Sequence, residues 1–243
     1  MEITSDMNFK DKEEIAITRI QEHYCEPYYE GISGGKDSDV VDHLLKRSGM
    51  KYERHHQHTT LDAPQTVRYI RQKYPDTQID YPEKSFWRLV IENGTPPTKL
   101  MRYCCRELKE YGGEGRFKVL GIRAQESAKR KKNRRMLEIC YKNDTRTLNP
   151  IIDWSDKDVW EYIKKYGLTY NPLYCMGCKR VGCVMCPQKS RKGMEQDAKM
   201  FPKYYEQFLR TFQKMLDERH RKGLETTWKT PEGVMEWWLK ICE

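Results

Sequence analysis

Residues 28–45 read YYEGISGGKDSDVVDHLL, and the fold turns on what this stretch can form. Tyr28 to Ile32 suit a short strand, although Tyr-Tyr-Glu-Gly is less apolar than a buried parallel strand usually is. Asp37 to Arg47 carry Val40, Val41, Leu44 and Leu45 on one helical face, and Gly49 suits the stop. Between them lies Ser33-Gly34-Gly35-Lys36-Asp37-Ser38. Two consecutive glycines let several backbone N–H groups point into one concavity, and the helix that follows adds its positive end, which makes an anion nest. Lys36 brings a mobile charge, and Ser33 and Ser38 bring hydroxyl donors. Asp37 would repel phosphate by itself, so it needs either a Mg²⁺ ion or a helix dipole to face. The spacing is not that of a Walker loop. A bare Ser-Gly-Gly would read as an ordinary turn; the whole hexapeptide between a strand and an amphipathic helix reads as a phosphate site.

Outward from this turn, strands and helices alternate. Ile15, Ile17, Ile20 and Tyr24 give residues 10–24 helical spacing. Residues 51–60 alternate as a strand ending at Thr59 and Thr60, and 63–75 form a helix with Pro64 in its first turn. FKVLGIR (117–123) is the best buried strand, and TLNPIIDWS (147–155) is a strand running into a helix start. There Ser155 and Asp158 form a capping box, and Asp156 and Asp158 suit the positive end of the dipole. The alternation predicts an α/β fold, a Rossmann-like parallel sheet with helices on both faces. Composition shifts near Tyr170, giving a leading helix over 1–27, a nucleotide-binding domain over 28–170, and a cysteine-rich segment with C-terminal helices over 171–243 packed on it. In those helices Tyr204, Phe208, Phe212 and Met215 recur at helical spacing and suit core or a homodimer face. Trp237 and Trp238 read as packing anchors.

The 243 residues are 33% charged and 37% hydrophobic, with a net charge of +9. That balance predicts a soluble globular protein. No apolar run is long enough for a membrane span, so no membrane partner is expected. MEITSDMNFKDKEE is acidic and polar, without the apolar stretch of a secretory signal, which leads to a cytoplasmic expectation. In a reducing compartment the nine cysteines are metal, cluster or catalytic candidates before they are disulfides. The positive charge suits nucleotides or nucleic acid, and six cations crowd into AKRKKNRR (128–135). Arg123, just past a strand, is expected in the site and Lys131–Arg135 outside it.

Residues 33–38 resemble the PP-loop of the adenine-nucleotide alpha-hydrolase superfamily. PPTKLMRYCCRELKE (96–110), VLGIRAQESAKR (119–130), NPIIDWSDKDVWEYI (149–163) and NPLY…GCKRVGCVMCP (171–187) narrow the resemblance to the phosphoadenosine phosphosulfate (PAPS) reductase family, from about Tyr28 to Leu239. The resemblance implies an adenine nucleotide at the carboxyl ends of the strands. It implies a binding set of Ser33, Gly34, Gly35, Lys36, Asp37, Ser38, Thr60, Gly121, Arg123, Ser127 and Arg130, with Glu126 beside them. Lys36, Asp37 and Arg123 are its catalytic candidates. It also implies a [4Fe–4S] cluster on Cys104, Cys105, Cys183 and Cys186, as in the cluster-bearing adenylylsulfate (APS) reductases, with Arg106 and Lys109 offsetting thiolate charge. Cys175 and Cys178 depart from the family pattern. They stand as spare thiols, a sulfur relay or replacement ligands, since DNA phosphorothioation enzymes of the superfamily take four ligands from a C-terminal group. A Cys₄ zinc site ranks third. Cys25 and Cys140 are expected to be buried, reduced thiols.

Sulfonucleotide reductases of this family attack sulfur with a cysteine in an ECGLH-like tail. Here the sequence reads EWWLKICE, with Cys242 alone, and its phosphate loop is complete where reductases often carry a degenerate one. The first expectation is therefore ATP with Mg²⁺: an ATP-pyrophosphatase-type enzyme that adenylylates an acceptor, such as a nucleic acid, and installs sulfur from a donor. The alternative is a PAPS or APS reductase that makes sulfite with a thioredoxin-like reductant, with Cys242, or one of Cys175 and Cys178, as its nucleophile. A non-catalytic nucleotide- and nucleic-acid-binding module ranks third.

Overall fold

A computed structural model describes residues 9–140 and 144–241. By their contacts the residues form two compact units. The first holds the described residues up to Gln57 together with 64–80 and 112–181; the second holds 58–63, 81–111 and the described residues from Gly182.

The first unit is built on a six-stranded sheet. Helix α1 (Phe9–Glu22) leads into β1 (Tyr28–Gly31), followed by α2 (Lys36–Ser48), β2 (Tyr52–Gln57), α3 (Pro64–Lys73) and β3 (Gln78–Asp80). The chain returns as β4 (Phe117–Val119), whose far neighbour β6 (Thr145–Leu148) is bordered by β5 (Leu137–Cys140). The order is β3-β2-β1-β4-β6-β5. Strand β1 is parallel to both neighbours, with Tyr28 opposite Tyr52 and Tyr29 opposite Lys118. The Rossmann-like expectation holds with one correction, because β5 runs antiparallel to β6, Leu137 facing Leu148. Only four residues separate β5 from β6, too few for the dozen or more that a parallel crossover requires.

The strands are shorter than the sequence pattern suggests. Beyond Val119 the chain makes one more sheet-like bond, Leu120 N–H to the Leu148 carbonyl, and then turns. Asn149 turns the other strand by donating from its amide to the Arg135 carbonyl. Strand β2 stops at Gln57, and Thr60 sits at φ 61°, a left-handed conformation that no strand continues through.

The polar look of β1 is resolved by burial. Tyr28 is fully buried, donates to the Ile20 carbonyl at 2.7 Å and meets Phe117 edge-to-face at 5.1 Å. The main core joins Ile20, Val40, Val41, Leu44, Leu45, Phe117, Leu148 and Trp154 to Val159 and Tyr162 of α7 (Asp156–Lys165). A smaller cluster joins Ile32 to Tyr69, Ile70 and Tyr74.

The second unit is helical: α4 (Phe86–Asn93), α5 (Tyr103–Leu108), α8 (Arg191–Met200), α9 (Pro202–Arg221) and α10 (Pro231–Lys240). The aromatic stripe is its core. Phe208 meets Phe86 edge-to-face and packs at a tilt against Phe212 and Trp238, all essentially buried, and the Trp238 indole donates to the Pro97 carbonyl at 2.6 Å. Among the described residues no helix is long and apolar enough to cross a membrane.

Candidate nucleotide site and thiol cavity

The strand order itself marks a crevice. From β1 the chain builds outward through β2 and β3, then returns to β4 on the other side of β1. The carboxyl ends of β1 and β4 therefore flank a topological switch point, where open α/β sheets take their ligands. Residues 33–38 follow β1, and Arg123 follows β4.

Gly34 is held at φ +70°, and a Cβ there would stand 2.9 Å from Thr66 Cγ2, so neither the backbone nor the space admits a side chain. Gly35 is the N-cap of α2, extended, with no side-chain cap. Ser33 Oγ accepts the Gly35 N–H at 3.4 Å, and Ser38 Oγ donates to the Gly35 carbonyl at 2.8 Å. The Lys36 N–H donates to the Tyr174 hydroxyl at 2.9 Å, while the Asn171 amide donates to the Gly34 carbonyl at 3.0 Å and to Thr66 Oγ1. The segment NPLY thus braces the loop from outside.

Charge converges on the loop. Arg123, 3% exposed, donates from Nε to Asp37 at 2.5 Å and from Nη2 to Asp156 at 3.1 Å. Lys36 Nζ, also buried, meets the same two carboxylates, Asp37 at 3.2 Å and Asp156 at 2.9 Å. Burial alone would raise the Asp156 pKa; the hydrogen bonds and charges of Lys36 and Arg123 outweigh it and hold the group below the usual carboxylate range. Gly121 is required by close approach, since a Cβ would lie 2.8 Å from the Asp37 carbonyl carbon and oxygen. Glu126 accepts the Arg123 N–H at 3.3 Å and pairs with the Arg130 guanidinium. Ser127 caps the short helix α6 (Ala128–Asn133) by accepting the Arg130 N–H at 3.1 Å. Lys131, Lys132 and Arg135 are exposed, and Arg134 is half-buried and pairs with Glu138.

The second unit gathers thiols. Cys104, Cys105, Cys183 and Cys186 line one cavity with Thr59, Leu61, Phe86, Leu108 and Lys109. Cys183 donates to Thr59 Oγ1 at 3.5 Å and is held by a bridge to Asp62. The thiol of Cys104 donates to Cys105, and this bond, helped by Arg102, lowers the Cys105 pKa to about 5 although burial opposes it. The same bond, with burial, pushes Cys104 well up. The charge of Cys183, followed by Cys186 and Asp62, raises the Lys109 pKa. Among the described residues no three His, Cys, Asp or Glu side chains are grouped as a site for a single metal ion.

The structure thus brings together Lys36, Asp37 and Arg123 around the loop of Ser33, Gly34, Gly35 and Ser38, with Gly121 packed beneath. Ser127 and Arg130 lie one step out, engaged with each other and with Glu126. Thr60 belongs to the second unit, where its hydroxyl accepts the Phe86 N–H at 2.9 Å. Sequence reading missed Asp156, Asn171, Tyr174 and Arg102. Asp156 was legible only as a helix-dipole partner, and NPLY carried no role by itself. Arg106 turns to Glu107 at 3.0 Å, so Arg102 takes the place expected for it. Cys25 and Cys140 are exposed rather than buried, one in the link before β1 and one at the end of the edge strand. Cys242 lies outside the described residues.

An open, parallel-dominated sheet with a glycine loop and paired cations at its switch point is the layout of a Rossmann-like α/β protein. Residues 29–189 match the phosphoadenosine phosphosulfate reductase domain family, and the chain belongs to it. It is 30% identical over 220 residues to an uncharacterised protein of Methanocaldococcus jannaschii, covering 85% of this chain and 45% of that one. It is 29% identical over 131 residues to the adenosine 5'-phosphosulfate reductase of Lysinibacillus sphaericus, covering 50% and 55%. The chain therefore spans about half the length of these curated relatives. Among solved structures it is similar in fold to the PAPS reductase of Candida auris (TM-score 0.55, 15% identity, covering 76% of this chain and 98% of that one). It is likewise similar to the U34-tRNA thiolase NcsA of Methanococcus maripaludis, solved with its [4Fe–4S] cluster (TM-score 0.52, 11% identity, covering 90% and 81%).

Proposed function

We propose that the chain binds ATP at the loop 33–38, splits it to AMP and pyrophosphate while adenylylating an acceptor, and supports replacement of the activated oxygen by sulfur. The observation that carries this reading is the pairing of two buried cations, Lys36 and Arg123, with the same two carboxylates, Asp37 and Asp156. Such a set can divide its labour: Lys36 and Arg123 take phosphate oxygens and stabilise charge on the leaving pyrophosphate, and Asp37 and Asp156 would hold Mg²⁺. Bound there, the ion would supply further neutralisation of the polyphosphate.

The thiol cavity fits a cluster by its donors. Four thiols line one space, and Lys109 and Arg102 face their negative charge. Such a set of soft donors suits an iron–sulfur cluster, whose irons each take one thiolate. Cys104, Cys105, Cys183 and Cys186 would hold a [4Fe–4S] cluster, which would supply an iron site for sulfur. The exposed cations of α6, and separately those near 189–192, suit the phosphates of a nucleic-acid acceptor.

Family membership favours a second reading, reduction of PAPS or APS to sulfite with a thioredoxin-like reductant. One assay separates the two. Anaerobically purified protein is given ATP, Mg²⁺ and nucleic acid, or PAPS or APS with thioredoxin, and pyrophosphate and sulfite are followed. Pyrophosphate that disappears in Arg123→Ala is the expected result; sulfite without pyrophosphate would overturn the first reading in favour of the second.

A further inference from the structure

Cys175 and Cys178 form a second pair of free thiols, apart from the four of the cavity. They lie in the sheet-bearing unit and outside the lining of the four-thiol cavity. Free cysteine is among the most buried of residue types, yet Cys175 is exposed and Cys178 half-buried on a turn. The turn has a defined geometry. The Gly177 N–H bonds to the Tyr174 carbonyl at 3.2 Å, the Cys178 N–H reaches back to the Leu173 carbonyl at 3.0 Å, and Gly177 is left-handed at φ +86°. This is the Schellman ending of a single helical turn. It places Cys175 on the last helical residue and Cys178 just past the left-handed Gly177, three positions apart on one bend.

The turn is also tied to the nucleotide loop. Asn171 holds the Gly34 carbonyl, and Tyr174, the residue before Cys175, accepts the Lys36 N–H. Trp160 supports the turn through edge-to-face contacts with Tyr170 at 5.2 Å and Tyr174 at 5.3 Å, and Tyr170 shares a side-chain hydrogen bond with Cys175.

We propose that Cys175 and Cys178 form a thiol–disulfide exchange site built onto the nucleotide loop, taking small or protein disulfides as oxidants. Cys175 thiolate attacks one sulfur of the partner's disulfide, forming a mixed disulfide and expelling one partner thiolate. Cys178 thiolate then attacks the Cys175 sulfur, closing the intramolecular disulfide and expelling the second. Two electrons pass to the partner, and the two thiol protons leave to solvent or to the expelled thiolates. A disulfide fixes its two Cβ atoms about 3.8 Å apart, a constraint the reduced bend lacks. Closure therefore tightens the bend beside Tyr174 and loosens its hold on the Lys36 N–H. Oxidation weakens nucleotide binding; this second half rests on the nucleotide reading, and the first half does not.

Trypsin releases residues 166–179 as one peptide whose only cysteines are Cys175 and Cys178. The full chain is equilibrated anaerobically with graded mixtures of reduced and oxidised dithiothreitol, its thiols are alkylated, and that peptide is weighed. The expected result is a step from a doubly alkylated peptide to one two hydrogens lighter than the dithiol, together with Mg-ATP affinity about tenfold weaker in the oxidised protein. Tyr174→Phe should abolish the affinity difference while the disulfide still forms. Double alkylation at every ratio, cross-linking of this peptide to another, or a bound zinc ion that shields both thiols would overturn the exchange site. Equal affinities in the two redox states would overturn the coupling. A reduced protein that binds no nucleotide would sink the ATP reading and leave the mass result standing by itself.

Discussion

In the sheet-bearing unit Lys36 and Arg123 are balanced by Asp37 and Asp156; in the helical unit Lys109 and Arg102 face the thiols of Cys105, Cys183 and Cys186. The first arrangement pairs cations with hard oxygen anions, each cation meeting both carboxylates. The second pairs fixed cations with groups whose charge follows pH, redox state and metal. The two units also differ in how the chain supplies them. The loop comes from six contiguous residues with two partners at neighbouring strand ends, whereas the thiols come from α5 and from the segment after Gly182. A glycine loop at a helix start can be written locally, while a cavity lined by four thiols has to be assembled from distant parts.

The sharpest way to break this contrast is to remove one partner from each region. Arg123→Ala leaves Asp37 and Asp156 with Lys36 alone and should cost about 2–5 kcal/mol of Mg-ATP affinity, measured by calorimetry, with the iron content of the protein unchanged. Cys105→Ser should do the reverse, losing iron while binding Mg-ATP as the parent does. A variant that loses both would end the division.

Gly121→Ala should follow in size. Its Cβ would stand 2.8 Å from the Asp37 carbonyl group, which is backbone and cannot swing aside. The expected cost is about 1–3 kcal/mol in urea unfolding, with weaker nucleotide binding. Parent-like stability would show that the loop has room the structure denies.

The smallest effect concerns Glu30, in the middle of β1. It is fully buried, both carboxylate oxygens lack a hydrogen-bond partner, and Arg54 comes only to 3.8 Å. Burial first, then the charge of Asp42, pushes its pKa well above the ordinary 4.5. As pH rises past that ordinary value the unfolded chain gives up this proton and the folded chain keeps it, so the group's contribution to stability falls until the raised pKa is passed. Glu30→Met should remove that slope and raise stability at pH 7 by about 1 kcal/mol. Urea midpoints at pH 5 and pH 7 measure it; an unchanged slope would disprove the assignment.

Much of this was legible from the residues. The strand–loop–helix of 28–48 announces itself because glycine, serine and an amphipathic period act over neighbouring positions. The capping box at Ser155 and Asp158 is local for the same reason and is present, with the Ser155 N–H donating to Asp158 at 2.7 Å and Ser155 Oγ accepting in return. Strand β3 was not legible, since Gln-Ile-Asp has no alternation to read and pairs only because β2 offers an edge. Nor was the direction of β5, although the short link to β6 would have decided it. Asp156 gave a true but partial signal: its dipole position is local, and its bond to Arg123 depends on where β4 ends.

By itself the sequence determined the glycine loop between β1 and α2, the alternating α/β pattern and the cysteine pairs, because each rests on residue types and backbone preferences within a few positions. Tertiary structure alone decided that Asp156 shares Lys36 and Arg123, that Arg102 rather than Arg106 faces the thiols, and that Tyr174 holds the loop from the turn of Cys175 and Cys178. Those pairings depend on distances between segments far apart in the chain, which sheet order and helix packing set and no local pattern encodes.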